Sequence, residues 1–466
     1  MDSPLDPERC RRARLARDPR FDGEFFLAVK TTGIYCRPIC PARAPAEQNV
    51  TYFRLASQAA GAGYRPCLRC RPESAPGSPA WAGSSITVQR ALDLIRGGAL
   101  NHASLGELAG RLGVGERYLR KLFQRELGVS PQAVALNQRL LFAKKLLTET
   151  EMPITEVAFA SGYGSVRRFN SALQDHFRLT PGQLRGRRGE GRRGAPISLQ
   201  LHYRPPYDWH GVMHFLAHHQ VEGVETASEG RYRRNFLCDG EPAWLEVNPL
   251  ANRDALELTL AMPDHRQLQA VVARVRRMFD LDANPDAIAA ALGHGSELRP
   301  LLAKAPGVRS PGHWSFYEAA VRAVVGQQVS TKAARGICAR FASACASGGH
   351  VTFPVASAVA ALPDAALPMP GRRRETLREL CRVFADAEEA ADLDSLGSLR
   401  GVGPWTLAMV AIRGKGEPDV FPSGDLGLAR AWERLGGEPK HLLQHAEGWR
   451  PWRAYAANLL WRSLGP

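Results

Sequence analysis

Four cysteines near the amino terminus carry the most specific chemistry in the sequence. Three residues separate Cys36 from Cys40, two separate Cys67 from Cys70, and 26 lie between the two pairs. A short turn can present the two thiolates of such a pair to one zinc ion, which prefers four ligands in a tetrahedron. Prolines within and beside the pairs favour such turns. The spacing therefore predicts a zinc site, with four unrelated buried thiols as the weaker alternative.

The chain around these cysteines reads FFLAVKTTGIYCRPICPARAPAEQNVTYFRLASQAAGAGYRPCLRCRPE. It resembles the N-terminal domain of the Ada-type DNA methyl phosphotriester methyltransferases nearly end to end. The resemblance implies that the four cysteines hold one Zn2+ and that Cys36 irreversibly accepts a methyl group from a backbone phosphotriester. The chemistry is sensible, because zinc keeps a thiol deprotonated and the thiolate is the nucleophile. A zinc site with only a structural role is the open alternative.

The charge of such a site suggests how repair could become a signal. Four thiolates on one divalent ion carry a net charge of about −2, and methylation of one thiolate removes one negative charge. Binding to the DNA backbone should then tighten. Nearby arginines are candidate phosphate contacts, although each could equally be a solvated surface charge: Arg37, Arg43, Arg65, Arg69 and Arg71.

A second group of candidate residues lies near the carboxyl terminus. Residues 396–412, LGSLRGVGPWTLAMVAI, predict a short helix, a glycine turn and an apolar helix. The N–H groups around Gly401 and Gly403 would suit one DNA phosphate. The segment resembles the helix-hairpin-helix DNA glycosylases, which keep an invariant aspartate shortly after the hairpin. Asp425, in VFPSGD, is implied as that catalytic carboxylate, and a helix N-cap is its ordinary role.

Further segments match the AlkA-type 3-methyladenine DNA glycosylases II in the family's order, namely PPYDW, RMFDLDANP, AVVGQQVS and WRPWRAYAANLLW. Alkylated purines are cationic and should bind to aromatic faces. The resemblance implies a base pocket with Trp405 and Trp461, and we add Tyr207 and Met409 to it. Met409 stands where close relatives carry a tyrosine. For any single buried tryptophan, core packing is the ordinary role.

The same resemblance indicates the type of reaction. Trp405 stands where relatives with lyase activity carry a lysine nucleophile, so we expect a monofunctional hydrolase that leaves an abasic site. No cysteine follows Cys381, which argues against an iron–sulfur cluster. Gln328 lies where relatives insert a side chain into the gap left by a flipped base. Its ordinary role would be a helix-surface amide.

The segment between the cysteines and the carboxyl-terminal candidate residues has the apolar periodicity of helices. Ser104 can cap one helix, Gly113 breaks it, and a second amphipathic helix follows; the arrangement recurs with a break at residues 161–164. The outward faces of the second helices carry residues that can reach phosphates and base edges, including Arg117, Arg120, Lys121, Arg167 and Arg168. One basic helix pair is weak evidence, but the two units together resemble the AraC-type DNA-binding domain.

Composition agrees with a polyanionic partner. The 466 residues include 61 Lys and Arg against 46 Asp and Glu, a formal charge of +15, which favours nucleic acid or an anionic membrane. No apolar run is long enough to span a membrane, and no signal-peptide core follows Met1. We therefore expect a cytoplasmic, nucleoid-associated protein that binds double-stranded DNA, with RNA polymerase as a candidate partner and no membrane partner.

These segments predict a multidomain, mainly α chain. We expect a small α/β zinc domain at 1–78, an AraC-type double helix-turn-helix at 84–186, a flexible basic linker at 187–195, a mixed α/β subdomain at 196–285 and a helix-hairpin-helix glycosylase domain at 286–466. Such a protein would sense alkylation, activate an adaptive response and excise 3-methyladenine and 7-methylguanine. The leading alternative is a transcription regulator whose C-terminal segment binds damaged DNA without catalysis.

Overall fold

The computed structural model describes residues 5–67, 69–70, 72, 75, 86–186, 189, 191, 194–293, 297–346, 348–387 and 392–465. Arg71 and most of the predicted linker at 187–195 lie outside these residues. Within the described ranges, no helix combines the length and the apolar character that a membrane crossing requires.

A four-stranded sheet forms the amino-terminal fold. Its elements are α1 (Pro7–Ala16), β1 (Phe26–Val29), β2 (Ile34–Cys36), β3 (Val50–Phe53), α2 (Ala56–Gly61) and β4 (Arg65–Pro66). The spatial order is β3-β1-β2-β4, and β2 pairs with β4 in parallel. Parallel strands end at the same edge of a sheet. The first cysteine of each pair, Cys36 and Cys67, therefore comes to the same edge.

The next segment is entirely helical. Its helices are α3 (Ile86–Arg96), α4 (Ala99–His102), α5 (Leu105–Arg111), α6 (Glu116–Leu127), α7 (Pro131–Glu149), α8 (Ile154–Ala160), α9 (Val166–Phe177) and α10 (Pro181–Arg185). Ser104 and Glu107 form a capping box at the start of α5, and Gly113 turns the chain with a φ of 68°. The pairs α5–α6 and α8–α9 are the two predicted helix-turn-helix units, joined by α7.

Mixed α/β structure follows. Its elements are β5 (Ile197–His202), α11 (Trp209–His219), β6 (Glu225–Ser228), β7 (Arg231–Cys238), β8 (Glu241–Pro249), β9 (Ala255–Ala261) and α12 (Leu268–Met278). Strands β5 and β9 pair antiparallel, with Ile197 opposite Leu260, and β7 pairs antiparallel with both β6 and β8. Buried residues alternate along β5 and β7 because only one face of each strand packs inward.

The remaining chain is helical. Its helices are α13 (Pro285–Gly293), α14 (Arg299–Lys304), α15 (Phe316–Val325), α16 (Thr331–Ala344), α17 (Ala356–Ala360), α18 (Gly371–Ala387), α19 (Leu393–Gly397), α20 (Pro404–Val410), α21 (Leu426–Arg434), α22 (Leu442–Glu447) and α23 (Arg453–Ser463). Helix α15 is buried along most of its length, and its apolar side chains pack in one core with residues of α16 and α18. A π-helical turn at Ala411–Lys415 extends α20.

A buried ion network fixes α15 against two strands. Glu318 and Arg322 of α15 bond to each other, while Arg234 of β7 and Glu225 of β6 complete the set at distances of 2.5–3.3 Å. Two arginines and two glutamates offset one another in charge, which makes their burial tolerable. The network therefore sets the register of α15 on β6 and β7.

The described chain packs as two compact units. The first comprises Met1–Pro205, Leu250–Ala273 and Leu281–Ala283, and the second comprises Pro206–Pro249, Arg274–Asp280 and Asn284–Pro466. Within the first unit α7 and β5 are hydrogen-bonded, since Lys145 donates to the Gln200 carbonyl at 2.6 Å and the Gln200 N–H donates to Glu149 at 3.0 Å. The expectation of a multidomain, mainly α chain is confirmed, whereas the domain boundaries stay predictions.

Candidate functional sites

Four thiol groups converge where β2 and β4 end. The Sγ atoms of Cys36, Cys40, Cys67 and Cys70 all lie within 4.8 Å of one another, and the exposed fraction of each residue is at most 9%. Zn–S bonds of about 2.3 Å place tetrahedral sulfurs roughly 3.8 Å apart, so the cluster has a suitable size and donor set for zinc. The prediction of one Zn2+ site is confirmed.

Hydrogen bonds inside this cluster distribute its protons unevenly. Hydrogen bonding with Cys36 lowers the pKa of Cys40 to about 7, while hydrogen bonds to Cys40 and Cys67 raise the pKa of Cys36. Four adjacent thiolates repel one another, so full deprotonation requires a cation among them. Bound zinc supplies that positive charge.

A cavity of about 850 Å³ opens over the cysteine cluster. Cys36, Cys40 and Cys67 line it, together with the arginines Arg14, Arg17, Arg43, Arg65 and Arg69. A phosphate group could therefore meet positive charge beside the sulfur atoms. Three cysteines border the cavity, so the choice of Cys36 as methyl acceptor stays a prediction that rests on the resemblance.

Arg37 departs from the prediction that it contacts DNA. Its side chain is buried, its Nε donates to Asp22 at 2.7 Å, and its Nη1 donates to the Cys70 carbonyl at 3.1 Å. A guanidinium paired with a buried carboxylate is not available to a phosphate. Arg37 instead braces the chain at Cys70, whereas Arg65 is exposed at the cavity as a DNA contact requires.

The second helices of the two helix-turn-helix units expose the predicted basic residues. On α6, Arg117, Arg120 and Lys121 are exposed, and on α9 Arg167 and Arg168 are exposed. Arg120 also pairs with Glu116 one turn away, at 2.6 Å. The opposite faces of both helices are buried by apolar side chains. The exposed faces suit a DNA groove, and the individual contacts stay predictions.

In the second unit, three predicted residues meet at the start of α21. Asp425 caps this helix, and its Oδ1 accepts hydrogen bonds from the Leu428 N–H at 2.9 Å and from Trp461 Nε1 at 3.0 Å. Its Oδ2 accepts from Trp405 Nε1 at 2.9 Å. The carboxylate is therefore held by three donors from three helices. Asp425 thus serves as the N-cap of α21, its ordinary role, and also lies between the two tryptophans.

Gly427 provides the space for this arrangement. A Cβ atom at this position would lie 3.0 Å from Asp425 Oδ1 and 3.3 Å from Trp461 Cδ1. Both distances are tighter than ordinary van der Waals contact. A side chain on this turn of α21 would therefore press on the hydrogen bond between the indole and the carboxylate.

The other two predicted pocket residues have different immediate partners. Met409 is partly buried and packs against the apolar core that contains α15 and α18. The Tyr207 hydroxyl donates to the Phe279 carbonyl at 2.7 Å. Asp208, which follows Tyr207, forms an ion pair with Arg462, the neighbour of Trp461. Among the described contacts, none joins Met409 or Tyr207 directly to Asp425.

Arg413, which lies in the π-helical turn, was not predicted from the sequence as a site residue. Its side chain is buried, and its guanidinium carbon lies 5.1 Å from the ring centre of Trp461 and 4.3 Å from that of Phe215. Its Nη groups donate to the Pro311 carbonyl at 2.7 Å and to Asn458 at 2.8 Å. Burial lowers the pKa of Arg413, while Asp425 opposes that shift. A lone arginine at the end of an apolar helix was its only sequence signal.

The predicted hairpin between α19 and α20 depends on Gly401. This residue has a φ of 89°, and a Cβ there would lie 2.4 Å from Thr376 Oγ1. Gln327 donates to the Gly401 carbonyl at 2.9 Å, and Gly403 is the residue that precedes α20. The tight turn is therefore built by close packing, and its phosphate contacts stay predictions.

Gln328 lies in the loop between α15 and α16. It is exposed and has a φ of 54°, in the left-handed region that a glutamine seldom adopts. The alternative of a helix-surface amide is therefore wrong. Its exposure on a short loop is compatible with insertion into DNA, which stays a prediction.

Four family models match successive parts of the chain. They are the metal binding domain of Ada at residues 9–73, a helix-turn-helix domain at 108–187, the AlkA N-terminal domain at 198–315 and the HhH-GPD superfamily of base excision DNA repair proteins at 321–452. These matches define the class of protein as a base-excision repair enzyme fused to a metal-binding domain and a DNA-reading domain.

A Mycobacterium tuberculosis protein described as a probable bifunctional transcriptional activator/DNA repair enzyme AlkA is 40% identical, with 98% of this chain and 97% of that protein aligned. The chain belongs to this family of bifunctional activator and repair enzymes. The DNA-3-methyladenine glycosylase 2 of Escherichia coli is 31% identical over 57% of this chain and 97% of its own length. The resemblance inferred from the sequence is confirmed.

Two further comparisons concern parts of the chain. The bifunctional transcriptional activator/DNA repair enzyme Ada of Escherichia coli is 33% identical over 37% of this chain and 47% of its own length. A solved 3-methyladenine DNA glycosylase from Archaeoglobus fulgidus covers 56% of this chain and 97% of its own, with a TM-score of 0.50 at 20% identity. The second likeness supports the glycosylase fold alone.

Proposed function

We propose that the second unit hydrolyses the N-glycosidic bond of alkylated purines, with Asp425 as the catalytic carboxylate. The observation that carries this proposal is the pair of indole N–H groups, from Trp405 and Trp461, on the two oxygens of Asp425. One donor on each oxygen fixes the direction in which the carboxylate points. Tyr207 and Met409 complete the proposed base pocket.

The proposed reaction starts with a base flipped out of the duplex, because the C1′–N bond is inaccessible inside the stack. That bond breaks with its electron pair leaving on the purine, whose positive charge is thereby neutralised. The carboxylate of Asp425 stabilises the cationic sugar, and water adds at C1′ and loses a proton to the carboxylate or to solvent. The products are a free base and an abasic site. Trp405 offers no amine for a covalent sugar intermediate.

The test is release of 3-methyladenine and 7-methylguanine from alkylated duplex DNA. We expect Asp425→Asn to lower release by orders of magnitude while DNA binding persists. Glu433→Gln, at an exposed position of the same helix α21, removes a carboxylate charge elsewhere and should retain full activity. Equal release by wild type and Asp425→Asn would refute the assignment. No release by wild type, with DNA binding intact, would favour the regulator alternative.

We further propose that Cys36, which lines the arginine-rich cavity, accepts a methyl group from a DNA phosphotriester. The Cys36 sulfur attacks the methyl carbon, an S–C bond forms and the O–C bond breaks. The electron pair of that bond stays on oxygen, so the phosphotriester becomes a phosphodiester anion. Bound zinc keeps the thiols deprotonated. Arg65 is proposed to hold the DNA backbone beside the sulfur.

Mass spectrometry of the intact protein after incubation with methyl phosphotriester DNA tests this step. We expect a single added methyl group on the peptide that contains Cys36 and none on the peptide that contains Cys70, which does not line the cavity. Cys36→Ala should abolish uptake, and its zinc content must be measured alongside because a lost ligand can release the metal. Retained zinc without any methyl uptake by wild type would leave a structural zinc site only.

DNA recognition by the remaining parts is also a proposal. The exposed arginines and lysine of α6 and α9 would read promoter DNA, RNA polymerase would be recruited there, and the protein would act in the cytoplasm at the nucleoid. Gly401 and Gly403 would contact a phosphate near the lesion, and Gln328 would fill the gap left by the flipped base. Footprinting on alkylated and promoter DNA, with Gln328→Ala as a variant, tests these contacts.

A further inference from the structure

A buried lysine of α7 reaches the zinc loop. Lys144 is 0% exposed, and its Nζ donates a hydrogen bond to the carbonyl oxygen of Cys67 at 2.9 Å. Cys67 belongs to the part of the chain matched by the metal-binding model, whereas Lys144 belongs to the helix-turn-helix match. One hydrogen bond therefore joins a zinc ligand to the helix that connects the two DNA-reading units.

The burial of this ammonium group is informative because an aliphatic side chain would be cheaper to bury. The next residue, Lys145, is also buried but points elsewhere, since it bonds to Glu149 at 2.9 Å and to the Gln200 carbonyl. Adjacent residues of a helix point in directions about 100° apart. Helix α7 thus carries two buried cations, and the bond from Lys144 reaches a cysteine of the cluster.

The second cysteine pair accepts hydrogen bonds from two buried cations. Arg37 is also buried, and it donates to the Cys70 carbonyl at 3.1 Å. Both residues of the second cysteine pair therefore accept a hydrogen bond from a buried cation. Four zinc-bound thiolates would carry a net charge of about −2, which would attract the ammonium group of Lys144. Methylation of one thiolate would halve that charge and weaken the attraction.

We infer that Lys144 is the positioning residue through which the zinc centre acts on the DNA-reading domain. Its ammonium group holds the Cys67 loop against α7 in the unmethylated protein. When the net charge of the cluster falls, the hold weakens and α7 is freed to adjust the two helix-turn-helix units it connects. This inference rests on the proposed methyl transfer to Cys36.

The experiment compares full-length wild type with Lys144→Met, Lys144→Arg and Lys145→Met. Zinc transfer to the chelator 4-(2-pyridylazo)resorcinol, methyl uptake by mass spectrometry and affinity for DNA before and after methylation are measured. Lys144→Met should weaken zinc binding about 10- to 100-fold, as loss of a residue supporting a metal ligand commonly does. Its ratio of methylated to unmethylated DNA affinity should move towards one. Lys144→Arg should restore both properties, and Lys145→Met should leave both at the wild-type level.

The inference would be overturned if Lys144→Met kept the wild-type zinc affinity and the wild-type ratio of DNA affinities. It would also be overturned if Lys145→Met showed equal losses, because such losses would mean general damage to α7. If wild type takes up no methyl group, the proposed methyl transfer fails, and the zinc measurement alone still tests the Lys144 contact. Should Lys144→Met fail to fold, Lys144→Gln, which keeps a hydrogen-bond donor without the charge, serves in its place. Wild-type behaviour of that variant would equally overturn the role of the charge.

Discussion

Replacement of Gly427 by alanine separates stability from catalysis in this protein. Gly427 lies in the first turn of α21, and an added methyl group would stand 3.0 Å from Asp425 Oδ1 and 3.3 Å from Trp461 Cδ1. Alanine is a better helix former than glycine by up to about 1 kcal/mol. The substitution should therefore leave the thermal midpoint unchanged or slightly raised.

The catalytic effect should have the opposite sign. Relief of the contact requires the carboxylate or the indole to move by a few tenths of an ångström, which stretches the 3.0 Å hydrogen bond between Trp461 and Asp425. A displacement of about 1 Å at a reacting group can cost about 100-fold in rate, so a shift of this size should cost roughly 3- to 10-fold.

Single-turnover base release from alkylated duplex DNA measures this effect. Gly336→Ala is the matched control, because Gly336 lies in α16 and a Cβ there would meet nothing within 4 Å. It offers the same gain in helix propensity without a contact near Asp425. If Gly427→Ala releases base at the wild-type rate, then the close fit of Asp425 and Trp461 does not matter for catalysis and our reasoning about the site fails.

Three further perturbations have expected outcomes. Gly401→Ala should disrupt the hairpin, because a Cβ at this positive φ would lie 2.4 Å from Thr376 Oγ1. A gel-shift assay should then show weaker binding to lesion DNA, while the zinc content stays unchanged. Arg413→Met removes two hydrogen bonds and should cost about 3 kcal/mol in the free energy of unfolding, measured by urea titration, together with a loss of base release; a stable variant with full activity would contradict this. Burial lowers the pKa of His219 to about 3, whereas its value in the unfolded chain is near 6.5. Between pH 3 and pH 6.5 the unfolded chain therefore binds more protons than the folded protein. The free energy of unfolding should fall as pH decreases from about 6.5 towards 3. Thermal midpoints at pH 7 and pH 5 check this, and a His219→Phe variant should lose part of the pH dependence.

Local patterns were sufficient where the chemistry depends on neighbours in the chain. The spacing of Cys36 from Cys40 and of Cys67 from Cys70 predicted the zinc site, because a turn of two or three residues limits where two thiols can lie. Ser104 and Gly113 predicted one helix-turn-helix unit for the same reason, since capping and left-handed turns are local events. The family resemblance extended these predictions to the whole chain.

Side-chain surroundings could not be predicted in the same way. Arg37 looked like a surface cation beside the cysteines, but packing buries it against Asp22. For Gln328 the alternative to insertion into DNA was a helix-surface amide, but α15 ends before this residue and leaves it in a loop. In both cases the residue type is compatible with either setting. Only the packing of neighbouring elements decides between solvent and a buried partner.

By itself, the sequence determined the kinds of site in this protein: a four-cysteine zinc centre, two DNA-reading helix pairs and an aspartate after a glycine hairpin. Only the tertiary structure decided which groups act together. Trp405 and Trp461 reach Asp425 from 20 and 36 residues away, and Lys144 reaches Cys67 from 77 residues away. Periodicity and spacing constrain neighbours within a few turns, whereas contacts between distant residues arise from the way in which buried faces pack.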